Sequence, residues 1–412
     1  MRRVVLHCAV ALPLAVVACG SGSSGKSADD SADGGDDSSI LPVDAAADVD
    51  STADAGGLVA IPLTACVPNV YSAEMTLGGS QGFQLLFDTG STTLAVAALG
   101  CASCTAAGVE TLYVPGPTAV DHKVAVSAMY GAIDPSGWSG DIVEDWVGTG
   151  ASPEMARVDL VAINQQSQFL VGTCGVGPPE GVLGFATSAI ETPGTNGFFD
   201  EVVAAGKVPD VFATRMCPTG GTLWLGGYDP AFTAAPPVYT PMSTPGWYTV
   251  GLASLAVAGT TVPVPSGSYT STMLDTGSSG SSLSPATFSV LTGAIAASPA
   301  FSTVFGAAAS SFFSGTTCMA LPQTKAQLDA ALPPLTMTFG SSPGVTAQAT
   351  ATESYLLTYG DGKWCPAIVS RAPDADFPGI AAILGAPMLA SNVVIFDRAN
   401  ARVGFAPHTA CP

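Results

Sequence analysis

A strand-rich chain with an internal duplication is what the sequence predicts, on three observations. One short phrase occurs twice, as Phe87-Asp88-Thr89-Gly90-Ser91 and Leu274-Asp275-Thr276-Gly277-Ser278, with the two acids 187 positions apart. A length of 412 residues leaves room for about two domains. Forty-seven glycines and 32 prolines, with abundant Thr, Val and Ser, favour short strands and many turns over long helices.

In each copy of the phrase an acid follows an apolar residue and precedes a hydroxyl, a glycine and a second hydroxyl. That order suits a carboxylate at the tip of a buried strand, in a tight hydrogen-bonded turn. A single copy would be read as an Asx-type turn that satisfies its own backbone. Here each copy has a matching partner downstream: Val182-Leu183-Gly184, ending 96 residues beyond Asp88, and Ile383-Leu384-Gly385, ending 110 beyond Asp275. Paired landmarks at similar distances imply a repeated lobe. Two carboxylates facing each other cannot both ionise comfortably, so they share a proton and offer a base and an acid together. Such a pair is suited to adding water to an amide.

Two further segments extend the pattern: Leu223-Trp224-Leu225-Gly226-Gly227-Tyr228-Asp229, and Phe396-Asp397-Arg398-Ala399-Asn400-Ala401-Arg402-Val403-Gly404-Phe405-Ala406-Pro407. With them the chain resembles the pepsin-like aspartic peptidases over most of its length. The resemblance implies an all-β, bilobal fold of two duplicated lobes, with an N-terminal lobe over residues 58–241, a C-terminal lobe over 242–412 and the active-site cleft between them. It implies that Asp88 and Asp275 form the catalytic pair and that Thr89 and Thr276 bond across the lobe interface. Gly90 and Gly277 would let backbone N–H groups approach the carboxylates, and Ser91 and Ser278 would serve their outer oxygens.

Strands near residues 69–77 and 84–87 lead into the first turn, and alternation resumes over 122–130. There Met129-Tyr130-Gly131 opens a turn-rich stretch that returns through Gly140-Asp141-Ile142-Val143, similar to the family's flap, the hairpin that closes over substrate. Tyr130 stands where the family has its flap tyrosine, with Gly131 beside it. The stretch before Gly140 is longer than the family's usual pattern, so a longer hairpin tip is expected. Relatives carry a tryptophan seven positions beyond the first Asp to hold that tyrosine; Ala95 stands here instead, and Trp138 is the candidate replacement. Leu86, Tyr130 and Phe169 are the candidates to line the primary pocket, which implies an endopeptidase preferring bulky apolar residues at the scissile bond. The alternative is a non-catalytic peptide-binding module of the same fold, against which both Asp-Thr-Gly turns are intact. Ala386 follows Leu384-Gly385 where many acid-active relatives have Asp, so a less acidic optimum is expected. No cofactor and no metal are expected.

Ten cysteines point to an oxidising compartment, because removing Cys8 and Cys19 near the N-terminus leaves eight, an even number. The family resemblance implies bridges Cys101–Cys104 and Cys318–Cys365; Cys66, Cys174, Cys217 and Cys411 are left with three possible pairings. In isolation Cys101-Ala102-Ser103-Cys104 could be a zinc or redox motif, but no second Cys-x-x-Cys exists and only His122 and His408 lie beyond the leader. The same shortage of histidine weighs against a serine hydrolase triad.

Arg2 and Arg3 precede an apolar run over residues 4–17, too short for a membrane span and fitting a secretory signal over 1–18. Val16-Val17-Ala18-Cys19-Gly20 resembles the bacterial lipoprotein cleavage box, with Cys19 as the lipidated residue. That implies an exported protein of the bacterial cell envelope, held at the outer membrane or cell surface; an ordinary secreted protein is the alternative. Residues 19–57 hold nine aspartates, one lysine (Lys26) and little to bury, which reads as a disordered tether and lacks the basic charge of a family pro-segment. The uncharged stretch 250–273 is broken by Gly, Pro, Ser and Thr and reads as strands. With 12 basic residues against 32 acidic ones, a net charge of −20 disfavours nucleic acid as a partner. Peptide or protein substrates and a monomeric state are expected.

Overall fold

Burial alternates along the strands that lead to the first turn. In Gln81–Asp88 the side chains of Phe83, Leu85 and Phe87 are buried on one face, and Gln84 and Leu86 are half-buried on the other, the two-residue period of a strand. The structure, a computed structural model, describes residues 57–130, 136–243, 246–265, 271–314, 318–340, 344–370, 377 and 379–411. The expected leader, the tether up to residue 56, Cys19 and Gly131 lie outside the described residues, as does the hairpin tip.

Among the described residues the first half holds twelve strands: β1 Val59–Val67, β2 Val70–Leu77, β3 Gln81–Asp88, β4 Leu94–Ala97, β5 Val120–Tyr130, β6 Ser136–Thr149, β7 Ser152–Ser167, β8 Thr173–Cys174, β9 Gly181–Gly184, β10 Val211–Cys217, β11 Gly220–Leu225 and β12 Val238–Pro241. They belong to one sheet, ordered β12, Arg402–Pro407, Asn392–Asp397, β10, β11, β1, β2, β3, β9, β4, β7, β6, β5, with β8 beside β1. The return strand of the 130s hairpin starts at Ser136, ahead of the Gly140 the sequence suggested, because Gly137 and Trp138 pair with Met129 and Ala128.

The second half forms smaller sheets. Thr272–Asp275 lies between Thr249–Val250 and Ala382–Gly385 in a five-stranded one, and Leu252–Val257 and Leu335–Phe339 pair in another. The longest helix among the described residues, Pro285–Ala296, starts with proline after Ser284, a favoured first position because the missing N–H has no helical partner anyway. It bends by 80° into the next helical segment, whose Phe301 and Phe305 are buried with Phe312. No single helix among the described residues is long and apolar enough to cross a membrane.

The last two strands return to the first sheet: Phe212 pairs with Phe396 and Tyr239 with Gly404. Both halves therefore share a floor. An aromatic stack runs through it from the residue before the first acid, Phe87 to Phe185 (5.2 Å), Phe185 to Phe212 (4.9 Å), Phe212 to Phe396 (4.6 Å) and Phe396 to Tyr248 (4.7 Å). Edge and stacked contacts of this kind add to the burial of the rings. Arg398, in the turn between the last two strands, pairs with Asp200 and, through Nε at 2.9 Å, with Asp210, and covers the Phe199 ring at 5.1 Å. The Phe-Asp-Arg segment is thus a buried clasp between chain end and first half.

Among the described residues four disulfides close the framework: Cys66–Cys174, Cys101–Cys104, Cys217–Cys411 and Cys318–Cys365. The second joins the N-cap of the short helix Ala102–Ala106 to Cys104 within it, and the third ties the chain end to β10.

Candidate active site

Two strand ends meet beneath the cleft. β3 runs parallel to β9, placing Asp88 beside Gly184; Thr272–Asp275 runs parallel to Ala382–Gly385, placing Asp275 beside Gly385. Side chains at Gly184 and Gly385 would collide with the backbone of the turns that follow the acids, at Thr92 and at Ser278 and Gly280 respectively. The duplicated apolar-apolar-glycine is therefore a steric requirement, since only a bare backbone passes behind each turn.

The two turns carry the same bonds. Gly90 N–H donates to Asp88 Oδ1 at 2.7 Å and Ser91 Oγ to Asp88 Oδ2 at 2.5 Å. Gly277 N–H donates to Asp275 Oδ1 at 2.9 Å and Ser278 Oγ to Asp275 Oδ2 at 2.5 Å. Across the junction, each threonine N–H donates to the other's hydroxyl at 3.0 Å, while Thr89 Oγ1 donates to Leu274 O (2.8 Å) and Thr276 Oγ1 to Phe87 O (3.0 Å). Both threonines are fully buried. A Cβ at Gly90 would come within 2.7 Å of Asp275 Oδ1, and one at Gly277 would overlap the Asp88 carboxylate, so the glycines are where the halves close on each other.

Asp88 and Asp275 keep only 6% and 8% of their surface exposed, and their Oδ1 atoms converge on Gly90, where a Cβ would lie 3.0 Å from the first and 2.7 Å from the second. Burial, and then the Asp88 charge, push Asp275 well above the usual carboxylate range. Two carboxylates this close disfavour double ionisation, and the macroscopic titration belongs to the pair.

The chain that carries these residues matches the family model for eukaryotic aspartyl protease over residues 70–408. The chain belongs to that family. Among similar proteins, the aspartic protease of Phaffia rhodozyma is 25% identical over 339 residues, covering 82% of this chain and 76% of that protein. Pepsin A of Sus scrofa is 25% identical over 84% of this chain and 83% of its own length, and the beta-secretase of Strongylocentrotus purpuratus 25% over 83% and 67%. As an aspartyl protease, the chain is a hydrolase of peptide bonds.

The other expected residues of this aspartyl protease gather on the first-half side. Tyr130 ends β5, its ring stacked on Phe169 at 5.0 Å, and it shares the edge of one apolar cluster with Phe169 and Leu86. Trp138 Nε1 donates to the Tyr130 hydroxyl at 3.3 Å. Trp138 and Ala95 are both buried in that cluster; a small residue at 95 goes with a large one at 138. Burial and the nearby Asp88 charge raise the Tyr130 pKa, so its hydroxyl stays protonated.

Sequence reasoning missed Trp247. Its Nε1 donates to Gly90 O at 3.1 Å, and its ring meets Phe377 edge-on at 5.5 Å, in a cluster with Met273, Ile380 and Ile383. The only local signal is an aromatic pair, Trp247-Tyr248, after Pro245-Gly246.

A metal-like grouping exists outside the cleft, where His122, Glu144 and Asp159 bring ligand atoms within 4.8 Å of one another. Its atoms already have partners: His122 Nε2 lies 2.9 Å from Asp159 Oδ1, and Arg157 Nε pairs with Glu144 at 2.7 Å.

Proposed function

We propose that Asp88 and Asp275 are the catalytic dyad of an aspartic endopeptidase that cuts beside bulky apolar residues. Two buried carboxyl groups that face each other across mirrored turns, one of them with a raised pKa, carry the proposal. The ionised member takes a proton from water as the water oxygen attacks the scissile carbonyl carbon, and the protonated member gives its proton to the carbonyl oxygen. Collapse of the tetrahedral intermediate breaks the C–N bond, with a proton passing to the leaving amine. Ser91, Ser278 and the two glycine N–H groups hold the carboxylates in place while charge moves, so little reorganisation is needed. Tyr130 and the hairpin bearing it orient the substrate.

The apolar preference is supported by aromatic surfaces on both sides of the dyad: Leu86, Tyr130 and Phe169 on one, Trp247 and Phe377 on the other. Peptide main chain would lie across them, with side chains filling apolar pockets. Export with a lipid on Cys19 completes the proposal, supported by the leader sequence and by the four disulfides, which need an oxidising compartment. A monomer is proposed as the working form.

Digesting a peptide library between pH 2 and pH 8, with and without a statine-type inhibitor whose hydroxyl stands in for the attacking water, tests the chemistry. Inhibitable cleavage between apolar residues is expected. Peptide binding without cleavage at any pH would leave a binding module in its place. For the anchor, Cys19→Ser should release the protein from the membrane fraction without altering its intrinsic activity; wild type found wholly soluble would defeat the lipid proposal.

A further inference from the structure

We infer that the Cys66–Cys174 disulfide is a positioning device for substrate selection, acting through Phe169 on the pocket and on Tyr130; this rests on the peptidase function proposed above. Phe169 stands on the stretch between β7 and β8, most of which is exposed: Gln168, Val171, Gly172 and Thr173 face solvent, and only Leu170 and Cys174 are buried. Few things hold it. At its start Gln166 Oε1 accepts the N–H groups of Phe169 (3.0 Å) and Leu170 (3.3 Å). In its middle Leu170 is buried in the cluster that contains Trp138. At its end β8 pairs with β1 over two residues only, Cys174 with Cys66 and Thr173 with Val67.

A two-residue pairing at a sheet edge is too short to be stable by itself. The covalent link lies on that pairing and fastens the loop to β1, which is held on both sides by β2 and β11. β1 leads into β2, and β2 pairs with β3, the strand that ends at Asp88. The pocket wall is thereby referenced to the strands that carry the first catalytic acid. Gly172 shows how close the docking is: its φ is +94° and a Cβ there would collide with Val67 O. Without the link the loop can lift from β1, the 5.0 Å stack of Phe169 on Tyr130 loosens, and the pocket loses its fixed width. The Cys217–Cys411 bridge closes a longer loop, 194 residues against 108, but joins β10 to the chain end, whereas Cys174 lies five residues beyond Phe169 on the same stretch.

The test compares two double variants, Cys66→Ser/Cys174→Ser and Cys217→Ser/Cys411→Ser, on two peptides that differ only in a Phe or an Ala on the N-terminal side of the scissile bond. Both variants should melt at lower temperature than wild type. The first should lose at least about five-fold of the Phe-over-Ala ratio in kcat/KM, mostly through KM for the Phe peptide, and the second should keep the wild-type ratio. Gly172→Ala, which retains every cysteine, should reproduce the first result and stands in for it should the double variant fail to fold. Phe169→Ala should abolish most of the preference and make loss of the disulfide without further effect, the non-additivity of residues that act as a unit. An unchanged ratio in both the first variant and Gly172→Ala, or equal changes in the two disulfide variants, overturns the inference alone. A wild type that cleaves nothing overturns the dyad chemistry with it.

Discussion

The turns at Asp88 and Asp275 differ by only 0.2 Å in their glycine bonds and agree at 2.5 Å in their serine bonds, yet what stands over them is unlike. Over Asp88 a long hairpin brings Tyr130, Trp138 and the Phe169 loop. Beside the junction with Asp275 there is instead an aromatic pair, Trp247 and Phe377, with Met273 and Ile380. In the proposed dyad both carboxyl groups need the same supporting donors, and the duplicated turn supplies them to each. Selecting and orienting a peptide demands a direction, so the surroundings are not symmetric.

The largest effect should come from breaking the symmetric part. Asp88→Asn and Asp275→Asn should each lower kcat by on the order of 10⁴-fold, and the double variant by little more, because the two groups work as a unit. Either single variant retaining more than about a tenth of wild-type kcat would show that the two acids are not a shared-proton pair. Stopped assays at several pH values, with circular dichroism to confirm folding, decide it.

Next come the threonines. Thr89→Val or Thr276→Val leaves a buried N–H of the partner threonine without its acceptor, which costs about 1–3 kcal/mol. The two substitutions remove parts of one network, so the double variant should cost clearly less than the sum. Urea titrations of the four proteins measure this, and strict additivity would mean that the turns are held independently.

These symmetric parts were legible in the sequence for a physical reason. Asp88-Thr89-Gly90-Ser91 makes its key bonds within four residues of itself, and its cross-bonds go to a copy of the same phrase. The strand-rich duplicated fold followed from the same repetition and from the turn-forming composition. Trp247 was invisible because its partner, Gly90, lies 157 residues away and nothing in Pro245-Gly246-Trp247 marks the contact. The pairing of Cys66 with Cys174 and of Cys217 with Cys411 was equally hidden: it depends on Cα atoms lying 4.1 Å and 5.8 Å apart, a property of register and not of spacing. The early start of β6 escaped notice because Ser136 and Gly137 look like turn residues until their partners on β5 are known.

The asymmetric part should respond more mildly. Trp138→Phe keeps most of the buried ring and removes the N–H that Tyr130 accepts, a loss of about 0.5–1.5 kcal/mol, or roughly two- to ten-fold in kcat/KM. Tyr130→Phe removes the same bond from the other side, so combining the two should add little. Full additivity in the double-mutant cycle would detach Trp138 from the flap tyrosine.

The smallest and most diagnostic effect is a shift in pH. Ser278 donates to the Asp275 carboxylate and so favours its ionised form, against burial and the Asp88 charge, which raise its pKa. Removing that donor in Ser278→Ala should raise the Asp275 pKa further. The catalytic one-proton form then survives to higher pH, and the alkaline limb of kcat/KM should move upward, even as the maximum rate falls for want of a bond that fixes the carboxylate. Stability follows the same sign: the folded chain binds this proton more tightly than the unfolded chain, so the contribution is present at low pH and is lost as pH rises through the raised folded value. In Ser278→Ala that loss should set in later. An alkaline limb that stays put, or moves to lower pH, would mean that Asp275 is not the group whose deprotonation ends activity, and the two turns would differ in their chemistry as well as in their surroundings.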